Sequence, residues 1–493
     1  MAGQLLGPGT TPVGPGFALQ PAPQQVPLAT NYITDFNFLN QYLPDTYEKE
    51  FERYGNRTIS SFLRMVGAEM PSNSDLIKWA EQGRLHTKYI DCGVVGGAQV
   101  NQDQITLQVN DVLNPANSTV QPGSGATVQI AVRVGQTLVV SNNNGTAEYK
   151  GIVVSVDVAN NQFDVAFYNA AGYTGGTGAG NADVTIFIYG SEFRKGTLGM
   201  QGSLEADDFI FENSPIIIKD KYEVSGSDMA QIGWIEVTTE DGATGYLWYL
   251  KSEHETRLRF DDYLETAMIE AVPAEAASGA ATQVVSDQVG NKGSEGIFYV
   301  VQQRGNVWSG GNPDALVDFD NIISRLDKQG SIEENVIFVD RDFGFDIDDM
   351  LAAQNSYGAG GSSYGLFDND SEMALNLGFT GFRRGYDFYK SDWKYLNDPT
   401  MRGGLTGVGT VNGLLVPAGS TTVYDQILGK NAKRPFLHVR YRASETEDRR
   451  YKTWITGSAG GARTSDLDAM EVNFLSERAV CTLGANNFFI FQD

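Results

Sequence analysis

The sequence predicts an α+β protein with an inserted antiparallel β barrel or sandwich, and three observations predict this fold class. Helical spacing of apolar residues over 246–272 and 313–329 indicates helices. β-branched runs bounded by Gly, Asn and Pro recur elsewhere and indicate strands. Residues 91–190 carry only nine charged side chains in a hundred, in a chain that is 20% charged. This change in composition indicates a separately folded insertion.

The overall charge and hydrophobic content limit the class of protein. The chain has 493 residues and a formal net charge of −25, from 36 Lys and Arg against 61 Asp and Glu. A domain holds roughly 100–200 residues, so the length allows several domains. Hydrophobic residues make up 41%, enough for each domain to bury a core, which excludes disorder of the whole chain. The negative charge opposes net attraction to nucleic acid or an anionic membrane.

The cysteines and the uncharged segments indicate a soluble protein made in a reducing compartment. Cys92 and Cys481 lie far apart in the sequence, which fits two buried thiols better than a disulfide scaffold or a zinc cluster. No Lys or Arg precedes Lys49, so the positive start of a signal peptide is missing. The uncharged run 403–424 holds six glycines and a proline, which excludes a membrane helix there.

The first part of the chain predicts an extended arm followed by short helices. Residues 1–34 have no charged side chain and hold six of the sixteen prolines, a composition that favours extended backbone. A solvated tail is one interpretation, but the interleaved apolar residues fit an arm that lies on a neighbouring subunit better. Helical signals follow at 44–54, at 59–66 and at 75–82, the last with Ser74 as its cap.

The insertion is predicted to hold about six strands joined by tight turns. Asn142–Gly145 and Asn160-Asn161 supply the turn residues that hairpins need at positive φ. The predicted strands are Ile105–Val109, Thr127–Val134, Thr137–Val140, Gly151–Val158, Gln162–Phe167 and Val184–Tyr189.

The remainder mixes strands with two strong helical patterns. Extended chain over 191–220 leads into strands that begin at Pro215–Ile218. A helix of about 40 Å follows at 246–272. A second helix at 313–329 has Asn312 as its predicted cap and Gly330 as its stop. Further strands are predicted at Gly296–Val301, Asn335–Val339, Phe436–Tyr441 and within 469–493.

No catalytic motif meets the structural requirement of its chemistry, so we predict that the protein is not an enzyme and has no cofactor. Gly361–Gly365 matches the nucleophile-elbow pattern, but no apolar strand leads into it. Gly407–Gly413 has one residue too many for a dinucleotide fingerprint. The three histidines are too far apart in sequence for a zinc motif. Paired carboxylates remain possible, although no pair stands out among 61 acids.

One acidic cluster and four basic clusters have structural interpretations as well as functional ones. Five aspartates within 340–349 lack the spacing of a calcium loop and suit the start of a helix, although adventitious binding of a divalent ion remains an alternative. Basic clusters are either neutralised by the many acids or available to bridge subunits. These clusters are Arg194-Lys195, Arg383-Arg384, Lys433-Arg434 and Arg449–Lys452.

The order of these elements resembles that of the major capsid proteins of tailed phages with the Hong Kong 97-type fold. The best local match is Glu212–Ser225 followed by Tyr246–Ala271, which is similar to the family's extended loop and strands leading into a charged spine helix. Asp314–Ala352 resembles the helix, strand and helix of the axial domain, and Ala469–Phe491 the closing peripheral strands. The proline-rich arm and the insertion are most similar to crAss-like phages. The insertion is not general to the family.

The resemblance implies a division of the chain into parts with separate roles. It implies an extended N-terminal arm at 1–40, N-terminal helices at 41–90, the inserted β domain at 91–190 and an extended loop at 191–215. It further implies a peripheral domain with the spine helix at 216–289 and 465–493, and an axial domain at 290–464. Contacts between subunits are expected at Leu5, Leu6, Phe17, Leu19, Arg194, Lys195 and Leu198.

The resemblance also implies a function. We expect a structural subunit that self-assembles into the hexamers and pentamers of an icosahedral phage head, enclosing double-stranded DNA without sequence-specific binding. The virion capsid is the expected location, after assembly in the host bacterial cytoplasm. Expected partners are a separate scaffold, a portal, and decoration or head-fibre proteins, with no membrane. The alternatives are an encapsulin-like compartment and an acidic β-rich carbohydrate-binding protein or hydrolase, the latter suggested by Phe163, Phe167, Tyr168 and Tyr173.

Overall fold

A computed structural model describes residues 68–492 with internal gaps. The longest gaps are 107–130 and 356–379. The shorter ones are 84–85, 87, 96–101, 143–146, 159–161, 175–181, 205–207, 231–236, 239–243, 246–247, 286–287, 331, 406, 408, 426–429, 460 and 462. The predicted helices at 44–54 and 59–66 lie outside the described residues.

A five-stranded sheet is built around one long strand. The central strand, β24, pairs with β10 along one side, and with β22 and then β23 along the other. The first strand, β1, lies parallel to β22 and forms an edge. The strands are β1 (Ala68–Ser72), β10 (Ile216–Ser225), β22 (Leu437–Arg442), β23 (Lys452–Gly457) and β24 (Ala469–Thr482). The strand expected to start at Pro215–Ile218, and the one at Phe436–Tyr441, are therefore confirmed.

The longest helix packs on one face of this sheet. It spans Trp248–Glu270, close to the predicted 246–272. Phe260 and Leu264 on the helix contact Val472 and Phe474 of β24 in a buried hydrophobic cluster. Apolar residues at helical spacing thus meet apolar residues at the two-residue spacing of a strand, which places a core between the two elements.

A second sheet has six strands in the order β15-β25-β19-β16-β18-β17, with both parallel and antiparallel pairs. Its helices α5 (Leu316–Gln329) and α6 (Arg341–Asn355) bury Phe319 and Phe343 against one face. The other face merges with the five-stranded sheet in a shared core. The strands are β15 (Asn306–Ser309), β16 (Glu334–Val339), β17 (Gly381–Arg384), β18 (Tyr386–Asp392), β19 (Val411–Pro417) and β25 (Phe489–Gln492).

Sequence-based boundaries in this region need two corrections. Gly296–Val301, predicted as a strand, begins the helix α4 (Ile297–Arg304). Its apolar run fits either structure, but burial at 297, 298, 300 and 301 is that of one helical face. Asn312 does not cap α5: its amide donates to Asp346 Oδ2 (2.8 Å), whereas the Asp318 carboxylate accepts from the backbone N–H of Ala315. Gly330 does end the helix.

Gly296 brings the start of α4 against the end of the long helix. Its N–H donates to the carbonyl of Ala271 (2.8 Å), and a Cβ atom at position 296 would lie 2.7 Å from that oxygen. Backbone cannot move aside as a flexible side chain can. We therefore expect Gly296→Ala to reduce the free energy of unfolding by about 2 kcal/mol, measured by denaturant titration. Gly279→Ala is the control, since its Cβ would meet no atom within 4 Å. Equal stability of the two variants would contradict the prediction.

The insertion is a closed six-stranded barrel with strand order β3-β4-β7-β6-β5-β8. Of the two predicted architectures, the barrel is confirmed. Its strands are β3 (Lys88–Val95), β4 (Gln102–Thr106), β5 (Gln136–Asn142), β6 (Glu148–Asp157), β7 (Gln162–Phe167) and β8 (Ala182–Ser191). The predicted strand Thr127–Val134 is wrong where it can be compared: residues 131–134 form irregular chain and a turn. Its place in the barrel is taken by β3, whose sequence Lys-Tyr-Ile-Asp-Cys-Gly-Val-Val interrupts the expected alternation.

The segment predicted as a helix at 75–82 is instead a strand, β2 (Ile77–Gln82). It pairs antiparallel with β9 (Asp208–Asn213), from Ile77 opposite Asn213 to Gln82 opposite Asp208. Burial alternates along β2, so Ile77 and Trp79 lie on one face. Six residues are too few for helical and strand spacing to be distinguished, and pairing with a distant segment decides the outcome. We call the pair β2–β9 the stalk, because the chain enters the barrel through β2 and returns through β9.

The helices are numbered in chain order, and the elements not yet described are short. The helices are α1 (Gly226–Met229), α2 (Trp248–Glu270, the longest helix above), α3 (Gly279–Thr282) and α7 (Lys394–Asn397), with 3-10 turns at Arg402–Gly404 and Ala485–Asn487. Two-stranded pairs are formed by β11 (Val237–Thr238) with β12 (Thr244–Gly245), β13 (Val284–Val285) with β14 (Gln288–Val289), and β20 (Ser420–Asp425) with β21 (Lys430–Pro435). Cys92 and Cys481 are both buried and form no disulfide within the described part of the chain, as expected. Among the described residues, no helix is long and apolar enough to cross a membrane.

Candidate functional site

The most exposed candidate surface is the loop 192–204, between β8 and β9. Leu198 is 82% exposed, the highest value for a large apolar side chain among the described residues. The loop is ordered from within: the N–H and hydroxyl of Thr197 both donate to the carbonyl of Arg194. Arg133 of the barrel donates to the carbonyl of Gly202 (3.0 Å). An apolar tip is thus held out into solvent by local hydrogen bonds.

Two cations flank this tip without a partner of opposite charge. Arg194 and Lys195 are exposed, and neither forms an ion pair within the described part of the chain. Three of the residues predicted as subunit contacts, Arg194, Lys195 and Leu198, therefore lie together in one exposed loop. The other four, Leu5, Leu6, Phe17 and Leu19, lie outside the described residues.

Two of the other basic clusters are neutralised within the chain. Arg383 pairs with Asp387 (3.1 Å) and Arg384 with Asp320. In the last cluster, each of the three cations has a carboxylate partner: Arg449 pairs with Glu477, Arg450 with Glu69, and Lys452 with Glu447. The side chains of Lys433 and Arg434 lie outside the described residues. The Arg383-Arg384 and Arg449–Lys452 clusters thus fit the first predicted alternative, neutralisation by acids. The Arg194-Lys195 cluster has no such acid within the described residues and fits the second, a contact between subunits.

A charged clamp fixes the start of the described chain to the body. The carboxylate of Glu69 on β1 contacts Arg450 and also Arg478 of β24 (3.5 Å), while Asp75 contacts Arg442 of β22. Burial lowers the pKa of the Arg478 guanidinium from its ordinary value. Because a buried cation is costly without an anion, Glu69 holds β1 in register on β22. The clamp could not be predicted from the sequence, because its members are nearly four hundred residues apart.

Three of the five aspartates within 340–349 have structural contacts. Asp340 accepts from the backbone N–H of Phe343 (2.8 Å) at the start of α6. Asp346 accepts from Asn312, and Asp348 pairs with Lys390 (2.6 Å). The predicted structural interpretation of this cluster is therefore confirmed. Among the described residues, no group of three or more His, Cys, Asp or Glu is placed to hold a metal ion.

The structure describes some of the residues that were considered above as catalytic candidates. Gly361–Gly365 lies outside the described residues. His438 is buried on β22, opposite Cys481 of β24, and its Nδ1 lies 3.3 Å from the carbonyl of Pro435. Burial raises the pKa of the Cys481 thiol to about 12, so this sulfur is protonated at neutral pH and is no nucleophile.

Comparison with known proteins gives remote structural likenesses. No protein-family model and no curated protein matches the chain. A solved structure titled as the capsid of a native GTA particle is 8% identical, with 94% of this chain and 99% of that chain covered and a TM-score of 0.37. A chain of Microbacterium phage Oxtober96 is 10% identical, with 88% and 92% covered and a TM-score of 0.36. The mature capsid of bacteriophage PhiM1 is 10% identical, with 61% and 78% covered and a TM-score of 0.30. TM-scores of this size do not establish a shared fold.

Proposed function

We propose that the chain is the shell subunit of a tailed-phage head, assembling into hexamers and pentamers around double-stranded DNA. The observation that carries this proposal is the loop 192–204, where an exposed leucine and two unpartnered cations project from a chain of net charge −25. The acidic surface of a second copy of the chain is complementary in charge to that loop. Repetition of such a contact by symmetry produces closed assemblies.

Several features of the fold support the proposal. The long helix α2 on the five-stranded sheet is consistent with a spine helix in a peripheral domain at 216–289 and 465–493. The six-stranded sheet is consistent with an axial domain within 290–464. Strand pairing differs from these bounds, because β25 belongs to the six-stranded sheet and β22 and β23 belong to the five-stranded one. The Hong Kong 97-type assignment and the similarity to crAss-like phages rest on the sequence resemblance.

The net charge suits a container for DNA. Acidic subunits repel the DNA phosphates, so a shell built from them encloses DNA without binding it tightly. Attractive contacts then do little to slow packaging or ejection. We further propose assembly in the host cytoplasm with a separate scaffold, a portal, and decoration or head-fibre proteins, and a role without catalysis.

The test is assembly of the full chain expressed with the neighbouring head genes. We expect megadalton particles in sedimentation and closed shells by electron microscopy, with nuclease-protected DNA when packaging proteins are present. Shells that never contain DNA would favour the encapsulin-like alternative. Absence of shells under all these conditions would contradict the proposal.

Charge reversal at Arg194 and Lys195 tests whether the loop 192–204 forms contacts between subunits. We expect Arg194→Glu with Lys195→Glu to reduce shell yield about tenfold or more, because like charges then meet across each repeated contact. The free energy of unfolding should remain unchanged, since both side chains are exposed. The control is Lys292→Glu with Lys328→Glu, two exposed lysines elsewhere on the chain. Equal shell yields from the two variants would remove the loop from the interface.

The carbohydrate-binding or hydrolase alternative receives no support from its motivating residues. Phe163 and Phe167 are buried in the barrel core. Tyr173 packs against Phe167 and Tyr149, with ring centroids 6.1 and 4.9 Å apart. Only Tyr168 of the four is exposed, and its hydroxyl donates to Glu192. Packing thus accounts for three of these aromatic side chains.

A further inference from the structure

The barrel is joined to the body through the stalk. The two strands of the stalk pair over six residues each, so both chain crossings form one two-stranded ribbon. A two-stranded ribbon is marginally stable alone, and it does not by itself fix the orientation of the barrel relative to the body. The direction of the barrel therefore depends on what the faces of the stalk contact.

One end of the stalk is fixed firmly to the body. Asn213 is 4% exposed, and its amide nitrogen donates to the carbonyls of Val480 (2.7 Å) and Glu295 (3.0 Å). Its amide oxygen accepts from the hydroxyl of Ser294 and the N–H of Glu295, both at 2.9 Å. Ile77, opposite Asn213, is buried against Ala479 and Cys481. Residue 213 is therefore bonded to two separate segments of the body.

Further along the stalk, Trp79 packs against the cluster of Ile77, Ala479 and Cys481, and the other contacts with the body involve charged side chains. The guanidinium of Arg304 lies over the ring of Phe211, 4.4 Å from its centroid, and 5.9 Å from that of Trp79. The same guanidinium is held by Glu295, with Nη2 2.8 Å from Oε2. Near the far end, Glu81 accepts from the backbone N–H of Gly484 (2.9 Å) and from the indole N–H of Trp79 (3.0 Å).

The opposite face of the stalk is open to solvent. Ile210 is 69% exposed, and the ion pair between Lys78 and Glu212 (2.9 Å) has more than half of each side chain exposed. An exposed ion pair contributes little to stability. The contacts on the inner face are thus the ones that hold the stalk against the body.

From these contacts we infer that the stalk is hinged, with Asn213 and Ile77 as a fixed pivot and Arg304 and Glu81 as a releasable latch. Opening the latch separates one cation from two aromatic rings and one carboxylate from one backbone N–H. It also moves Trp79 away from Ala479 and Cys481, an apolar contact that lies outside the larger cores of the barrel and the body. The barrel can therefore change direction while both bodies stay folded, a property that holds whether or not the chain forms shells.

The test uses the full chain with spin labels at Val158→Cys on the barrel and Val317→Cys on α5, both exposed positions. The native cysteines are buried and stay unlabelled. The labelled chain is diluted with unlabelled chain, so that distances within one subunit dominate. Electron–electron double resonance should show one narrow distance distribution with the latch intact. We expect a distribution at least twofold wider in Arg304→Gln with Glu81→Gln, and an intermediate width in Arg304→Lys with Glu81 intact.

Hydrogen exchange distinguishes a hinge from general loss of structure. We expect amides of β2 and β9 to exchange about tenfold faster in the latch variant, while amides of β7 and β24 keep their rates. The control is Arg325→Gln, since Arg325 lies over Trp308, away from the stalk. An unchanged distance distribution in the latch variant would overturn the inference. Faster exchange in β7 or β24 would also overturn it, because the barrel or the body would then be unfolding.

Discussion

Replacing Phe474 by alanine is expected to lower the free energy of unfolding by about 4 kcal/mol. Phe474 lies on β24 and is 1% exposed. Its ring lies 5.7 Å from that of Phe260 on the long helix α2 and 6.4 Å from that of Tyr451. Truncation removes the ring from a cluster between the helix and the sheet and leaves a cavity that rigid neighbours cannot fill.

The neighbouring strand provides a matched control for this substitution. Ile455 on β23 pairs with Val472 and is 46% exposed, so Ile455→Ala should cost less than about 1 kcal/mol. For both variants, the free energy of unfolding is measured by denaturant titration, monitored through hydrogen exchange of the β24 amides. The exchange reports the local transition in a chain with several cores. A loss below 2 kcal/mol for Phe474→Ala, in the range of surface changes, would show that α2 is not held by this cluster.

Removing the carboxylate of Glu270 is expected to cost about 2 kcal/mol of stability. Glu270 is the last residue of α2 and receives both Nη1 contacts of Arg402, at 2.8 Å to Oε1 and 2.6 Å to Oε2. The hydroxyl of Tyr395 donates to the same Oε1 (2.6 Å). Arg402 also lies over the ring of Phe298. One carboxylate thus holds the segment 394–404 against the ends of α2 and α4.

Glu270→Ala would leave the guanidinium of Arg402 and the hydroxyl of Tyr395 without this acceptor in a half-buried site. A fully buried pair would lose about 3–5 kcal/mol, and partial exposure of Glu270 reduces that cost through solvent screening. Burial and the Glu270 carboxylate both raise the pKa of Tyr395. We therefore also expect Tyr395 to ionise at a lower pH in the variant, which absorbance titration measures. Glu275→Ala, an exposed acid beyond the helix, is the control. An unchanged Tyr395 titration together with unchanged stability would contradict this prediction.

Long elements were the ones that the sequence predicted best. The helix at 246–272 has enough turns for one apolar face to be recognised, and α2 starts and ends within about two residues of that range. Short apolar segments were not decidable. Ile77–Gln82 became a strand because β9 pairs with it, and Ile297–Val301 a helix because its face meets the end of α2. In both cases a partner far away in sequence decides the local structure.

The residue types of the candidate site could be predicted from the sequence. Which basic pair would lack an acidic partner could not. Arg194-Lys195 and Arg449-Arg450 look alike in sequence. Folding brings Glu477 and Glu69 to the second pair and no described acid to the first. The polar contacts of Asn213 were equally invisible, since its hydrogen-bond partners lie about 80 and 270 residues away. Which polar side chains meet is a property of the closed topology.

The position of β24 and β25 has a consequence for the timing of synthesis. Residues 469–482 form the central strand of the five-stranded sheet, and residues 489–492 lie between β15 and β19 in the other sheet. Until this segment has left the ribosome, both sheets have an open gap and unpaired strand edges. The barrel contains no residue beyond 191 and is free to close long before. Translation thus delivers a finished barrel on an unfinished body, and a chain interrupted before residue 469 could not complete either sheet.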